Sequence, residues 1–94
     1  MKFPLGDIVA TPAALRAIQD AGQDPDFFLD KHSAGDWGEV DGFDRRANDE
    51  ALVSGDRLLS AYRTLKNVRL WIITEAEDDK GNRAATTLLL PEQY

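Results

Sequence analysis

The first candidates for a catalytic role are His32, the one histidine of the sequence, and its neighbour Ser33. An imidazole can act as a general base near neutral pH and can activate a serine within hydrogen-bond reach. Adjacent residues of a helix do not face each other, so the order His32-Ser33 does not predict such a pair. We therefore interpret His32 as a structural, capping or exposed residue near the end of a helix, and no catalytic residue is assigned.

A second set of reactive side chains is the acidic segment around Trp37, a tryptophan between two glycines. Its carboxylates could bind a divalent cation, but their spacing does not fit the calcium-loop pattern, so no metal site is predicted. The segment is either a solvated acidic face or a surface that binds a partner protein, with its carboxylates in the place where that partner normally binds phosphates. Trp37 is either the apolar anchor of that surface or a loop side chain folded back onto the core. The residues predicted to bind a partner are Asp36, Trp37, Glu39, Asp41 and Asp44.

A third set of polar side chains lies on or beside the predicted strands of the second half. Ribonucleases of the barnase or RelE kind place such side chains on a sheet to hold a phosphate and to move the proton of a 2′-hydroxyl group. Against this function, no histidine falls on a strand, and the chain is acidic where an RNA-binding enzyme is usually basic. A ribonuclease is therefore kept as an alternative. The residues concerned are Arg57, Tyr62, Arg63, Arg69, Glu75, Thr86 and Thr87.

The composition is that of a small globular chain with an uneven distribution of charge. Its 94 residues suffice for one domain, residues 1–94, and include no cysteine, which excludes disulfides and thiolate metal ligands. No apolar run reaches the roughly 18 residues of a membrane-spanning helix, so a cytoplasmic protein without membrane contact is expected. The net charge of −6 argues against direct binding of nucleic acid. Residues 1–56 hold twelve acids and five bases, whereas residues 57–94 hold five acids and six bases.

Helix signals fill the first half of the chain. Thr11-Pro12 and Asp24-Pro25 are typical helix starts, because the first residue can cap the free amides and proline fits the first helical position. The second helix should end near Ser33 or Gly35. Asp41 can cap a third helix that ends at Gly55. The residues predicted on the buried face of that third helix are Phe43, Ala47, Ala51 and Leu52.

Alternating apolar residues predict three strands in the second half, over 57–63, 68–76 and 84–90. In the second of these, Trp71, Ile73 and Glu75 share one face of the strand. Short connections favour antiparallel hairpins. The predicted fold is α+β, with three N-terminal helices followed by a three-stranded antiparallel β-meander. Residues 8–10 are a candidate short N-terminal edge strand.

Five segments that together extend over nearly the whole chain carry a family resemblance: Ile8–Pro12, Gly35–Gly38, Gly55–Tyr62, Leu70–Ala76 and Thr86–Tyr94. They resemble a family of short bacterial proteins that are carried on plasmids and integrated mobile elements and are usually labelled plasmid-related proteins. The chain departs from that pattern where residues 77–82 lengthen the hairpin before Arg83. The resemblance implies an accessory role on a mobile genetic element and assigns no catalytic residue.

Charge and resemblance together predict a non-enzymatic acidic binding protein with a protein partner and no cofactor. The expected partner is a host protein that handles nucleic acid, such as a restriction enzyme or a CRISPR effector, which gives the protein an anti-defence role. The ribonuclease, as a toxin, is the first alternative. A structural or regulatory homodimer, which pairs through an open sheet edge or through the strand face bearing Trp71, is the second alternative.

Overall fold

The first and the last strand of the chain lie in the same β-sheet. The computed structural model describes all residues from Met1 to Tyr94. A short 3₁₀ turn over Pro91–Gln93 follows the last strand. No helix is long and apolar enough to cross a membrane. In chain order the elements are β1 (Asp7–Ala10), α1 (Pro12–Asp20), α2 (Pro25–Ser33), α3 (Gly42–Ser54), β2 (Leu58–Arg63), β3 (Arg69–Thr74) and β4 (Ala85–Leu89).

The sheet has four strands in the order β1-β4-β3-β2 and is mixed. Strand β2 pairs antiparallel with β3, and β3 pairs antiparallel with β4, whereas β1 pairs parallel with β4. The predicted architecture of N-terminal helices followed by an antiparallel meander is therefore wrong. The candidate edge strand at residues 8–10 does form, as β1 before the helices, and its parallel pairing with β4 makes the sheet a mixed one of four strands. The amides of Asp7 and Thr11 bond to the carbonyls of Ala84 and Leu88, and these bonds fix the parallel pair. The α+β class is confirmed.

Local capping explains where the three helices begin. The side chains of Thr11, Asp24 and Asp41 each accept a hydrogen bond from an amide of the first turn, at 2.8–3.1 Å. Gly55 ends α3 in the left-handed conformation. These predicted boundaries are confirmed.

The buried face predicted for α3 is partly wrong, because Phe43 is 73% exposed and Ala47 is exposed as well, whereas Ala51 is buried and Leu52 half-buried. The helix instead turns Asn48 and Ala51 inward. The Asn48 amide donates to the carbonyl of Leu59 at 2.7 Å and accepts from its N–H at 3.0 Å. Helix α3 therefore packs on the free edge of β2 through a polar side chain, which an apolar pattern does not reveal.

The helices cover only one face of the sheet. Ser60, Ile72 and Thr86 lie on that face with no exposed surface, and the adjoining apolar side chains pack against α1 and α2. Strand residues of odd number from 57 to 75 point to the opposite face, which no helix covers. On this opposite face, the 3₁₀ turn brings Tyr94 against Trp71 at a ring-centroid distance of 5.6 Å. We call this opposite side the open face.

The loop after α2 closes the outer edge of β2. The amide of Ala61 donates to the carbonyl of Trp37 at 3.0 Å, and the amide of Glu39 donates to the carbonyl of Ala61 at 2.7 Å. Gly38 lies between them with φ of +73°, and a Cβ there would lie 2.0 Å from the Ala61 carbonyl oxygen. Glycine is required at this position because the loop backbone approaches the strand so closely.

Replacing Gly38 by alanine is expected to lower the free energy of unfolding by about 2–4 kcal/mol, since both the backbone conformation and the contact with Ala61 are then strained. Gly22 is a matched control, because its φ is +69° and nothing lies within 4 Å of a Cβ built there. Gly22→Ala should cost only about 1 kcal/mol. Urea unfolding of the two variants measures the difference, and equal losses would show that the contact with β2 contributes nothing.

Candidate functional site

The acidic segment predicted to bind a partner is on the surface, but its charge is partly neutralised within the chain. Asp36 pairs with Lys31 at 3.4 Å, and Glu39 pairs with Arg63 at 2.8 Å. Asp41 caps α3, and Asp44 lies in the first turn of that helix. Both carboxylates therefore lie at the N-terminus of α3, where the free backbone amides offset part of their negative charge.

Trp37 is inside the molecule rather than on the acidic surface. Its side chain is 3% exposed and stacks on Phe3, and its Nε1 donates to Asp49 at 3.0 Å. The prediction of an exposed apolar anchor therefore does not hold, and the alternative of a loop tryptophan folded onto the core is correct. Burial of the ring in this apolar cluster removes a large area from water, and Asp49 satisfies its one polar atom.

His32 is also structural, at the centre of a buried chain of hydrogen bonds. Its Nδ1 lies 2.5 Å from the Ser60 hydroxyl and its Nε2 lies 2.8 Å from the Thr74 hydroxyl. Thr74 is bonded to Thr86, which donates to the carbonyl of Leu5. The Leu5 carbonyl can only accept, so Thr86 donates its proton to it and must accept from Thr74. Thr74 has then used its own proton and must accept from the ring, which places the ring proton of His32 on Nε2. Burial lowers the pKa of His32 to about 4, so the ring is neutral at physiological pH.

His32 should make folding sensitive to acid, with a loss of about 3 kcal/mol between pH 7 and pH 4. The folded pKa of about 4 lies below the value of 6.5 for an exposed imidazole. The unfolded chain therefore binds the proton first as pH falls, and the stabilisation, complete above pH 6.5, is lost progressively towards pH 4. Urea unfolding at several pH values should show a steeper pH dependence for the wild type than for His32→Gln. Parallel curves for the two proteins would contradict this assignment.

A cleft of about 330 Å³ opens on the open face, and its lining combines a cation, a carboxylate and two hydroxyl groups over an apolar floor. The pairing Leu58↔Thr74 places the preceding Arg57 opposite the following Glu75, and Ile73 pairs with Thr87. Strand register therefore brings these polar side chains together from three strands. The residues that line the cleft, here called the sheet-face cleft, are Arg57, Ile73, Glu75, Thr87, Leu89 and Tyr94.

Arg57 supplies the cation of the sheet-face cleft. Its guanidinium donates to the Tyr94 hydroxyl and lies 5.4 Å from the centre of that ring. The ion pairs of the structure involve other residues, and Arg57 has no carboxylate within 4.0 Å. The charge is thus positioned by an aromatic ring and is available to an anionic ligand, for which the planar guanidinium is well suited.

Arg83 holds the two chain segments that carry Arg57 and Glu75. Its buried guanidinium donates to the carbonyls of Asp56 and Glu75 at 2.8 and 2.9 Å, and to the carbonyl of Ala51 at 3.1 Å. It also lies 3.8 Å from the Glu77 carboxylate. The side chain acts on the cleft through the backbone, and the sequence analysis noted it only as the residue after the lengthened hairpin.

The structure separates the strand residues that sequence analysis grouped together. Arg57, Glu75 and Thr87 meet in the cleft, whereas Tyr62 lies on the covered face, where its hydroxyl donates to the carbonyl of Asp36. Burial raises the pKa of Tyr62 to about 12. The remaining three lie elsewhere: Thr86 in the His32 chain, Arg63 beside Glu39, and Arg69 exposed at the start of β3.

Tyr94 is a cleft residue that the sequence analysis missed. The one local signal is Pro91, which ends β4 and begins a turn that can bring the following residues back over the sheet. Such a turn does not by itself say which face the tyrosine covers.

Comparisons with protein-family models, with curated proteins and with solved structures found no match. No group of three or more histidine, cysteine, aspartate or glutamate side chains is arranged to hold a metal ion. The sheet-face cleft is therefore the feature of the molecule that bears most directly on its function.

Proposed function

We propose that this protein binds RNA on its open face and cleaves it, the function that sequence analysis kept as its first alternative. The observation that carries the proposal is the convergence of Arg57, Glu75, Thr87 and Tyr94 in one cleft on the uncovered face. A phosphate-binding cation and a carboxylate that can accept a proton are the two groups that cleavage by an internal hydroxyl needs.

The distribution of charge supports an anionic ligand at this face in spite of the net charge of −6. The excess of acids lies in residues 1–56, which include all three helices, whereas residues 57–94 hold one more base than acids. The open face carries Arg57 at one end and Arg69 at the other, where Arg69 lies across from Arg63, whose charge is paired with Glu39. Local potential governs where a charged ligand binds, so a net negative protein can still attract a phosphate to one face.

The chemistry assigned to the cleft is transphosphorylation. Arg57 and the Thr87 hydroxyl hold the non-bridging oxygens of the phosphate, and the Glu75 carboxylate accepts the proton of the 2′-hydroxyl group. The 2′-oxygen forms a bond to phosphorus while the bond from phosphorus to the 5′-oxygen breaks, and this oxygen takes a proton from water. The products are a 2′,3′-cyclic phosphate and a 5′-hydroxyl end.

The products of an RNA digest test this proposal. Purified protein should cut a labelled single-stranded RNA to ends with a 2′,3′-cyclic phosphate, and should leave the matched DNA and 2′-O-methyl RNA intact because neither has the attacking group. Arg57→Ala, purified in parallel, controls for a contaminating nuclease and should lose the activity. RNA that stays intact, or equal cleavage by both proteins, would overturn the proposal.

Docking of the acidic segment on a basic surface of a host protein stays a prediction, as does the mobile-element role that the resemblance implies. Docking is supported by the exposure of Asp36, Glu39 and Asp41, but the burial of Trp37 removes the proposed anchor. Capture of a nucleic-acid-handling protein that is lost with Asp36→Asn and Glu39→Gln would support docking.

A further inference from the structure

Two aromatic side chains, one in the lining of the sheet-face cleft and one beside it, have no part in the proton transfer proposed above. Trp71 is half-buried on the open face, and Tyr94 is 67% exposed. Their ring centroids are 5.6 Å apart, with an angle of 66° between the planes. The open face therefore presents partly solvated aromatic surface beside the cation of the cleft.

The same tyrosine connects this aromatic pair to the cation of the cleft. The centre of its ring lies 5.4 Å from the guanidinium carbon of Arg57 and 5.6 Å from the ring centre of Trp71. A nucleotide joins an anionic phosphate to a flat aromatic base through one ribose. The succession of cation, phenol ring and indole has the same order of charged and aromatic groups.

We infer that Trp71 and Tyr94 form a nucleobase subsite beside the phosphate position, an inference that rests on the function proposed for the cleft. Glu75 directly follows β3 and lies four residues beyond Trp71. The roughly 13 Å that such a spacing puts between their Cα atoms can hold one nucleotide, with its base on the indole and its ribose towards the carboxylate. Leu89, directly across from Trp71, adds apolar surface to the floor.

The chemistry of the subsite defines the class of substrate. Aromatic rings contact the face of a base, which every base offers, so binding should tolerate different sequences. A base must be unstacked and unpaired to lie on these rings, so the substrate is single-stranded RNA and not a duplex.

The fluorescence of Trp71 allows a direct test on the unmodified protein. The protein has two tryptophans, and the other one, Trp37, is buried. Quenching by a ligand at the open face therefore reports on Trp71. Adenosine 5′-monophosphate should quench this emission and bind at least about tenfold more tightly than ribose 5-phosphate, the difference expected from one stacked base. Equal affinities for the two ligands would overturn the subsite.

Substitutions separate the subsite from the fold. Both Trp71 variants lack the fluorescent reporter, so the affinities of wild type and variants are compared by isothermal titration calorimetry. Trp71→Leu should lower the affinity for adenosine 5′-monophosphate to that for ribose 5-phosphate, and Trp71→Phe should restore most of the difference. Phe43→Leu is the matched control, because it removes an exposed ring on α3, away from the cleft, and should change neither affinity. An unchanged preference for the nucleotide in Trp71→Leu would contradict the inference.

Failure of the subsite and failure of the proposed cleavage are distinguishable. A nucleotide preference that depends on Trp71, together with intact RNA, would keep the subsite and remove the ribonuclease. Cleavage of single-stranded and duplex RNA at equal rates, with Trp71→Leu as active as the wild type, would keep the ribonuclease and remove the subsite.

Discussion

Substitution of Glu75 by glutamine is expected to lower the rate of RNA cleavage by about 100- to 10,000-fold, the contribution typical of a general base. Glutamine keeps the size of the side chain and can still form hydrogen bonds in the cleft, but it cannot accept the 2′-hydroxyl proton. Arg57 and Thr87 remain to hold the phosphate, so RNA affinity should change little. Single-turnover cleavage of a labelled RNA, with saturating protein, measures the chemical step separately from binding.

The control for Glu75 is a carboxylate of the same type outside the cleft. Glu50 is exposed on α3, and Glu50→Gln makes the same change in net charge without touching the open face. Its cleavage rate should match that of the wild type. A Glu75→Gln protein that cleaves at the wild-type rate would remove Glu75 from the mechanism, and a loss shared with Glu50→Gln would attribute the effect to charge alone.

The helices were predictable because their boundaries are set by neighbouring residues. Thr11, Asp24 and Asp41 bond to amides two or three positions further along the chain, so the relevant contacts are visible in a short window. The parallel pairing of β1 with β4 was not predictable in this way. Asp7 pairs with Ala85, and nothing in four residues near the start of the chain specifies a partner so far along it.

The candidate site was predictable only where alternation along a strand decides the face. Trp71, Ile73 and Glu75 do share the open face, as their spacing predicted, and the same rule puts Tyr62 on the side opposite Arg57. Trp37 was misleading because acidic neighbours suggested a surface loop. Its burial depends on Phe3 and Asp49, two residues that sequence spacing does not connect with it.

Replacing Arg83 by lysine is expected to lower the free energy of unfolding by about 2–3 kcal/mol. The guanidinium donates to three backbone carbonyls in different directions, and a single ammonium group cannot reach all of them. At least one of these carbonyls would then lose its hydrogen bond to the side chain while the positive charge stays in the protein. Urea unfolding of this variant measures the loss, and Arg69→Lys, at an exposed arginine, should leave stability within about 0.5 kcal/mol of the wild type.

The same substitution tests whether Arg83 positions the sheet-face cleft. Because Arg83 holds the carbonyls of Asp56 and Glu75, its loss should displace the side chains of Arg57 and Glu75 relative to each other. Cleavage should then fall at temperatures where Arg83→Lys is still fully folded, with the larger effect on kcat, since a small misplacement of reacting groups is costly. A folded Arg83→Lys variant with the wild-type kcat would show that Arg83 contributes to stability only, and that its contacts with the carbonyls do not set the geometry of the cleft.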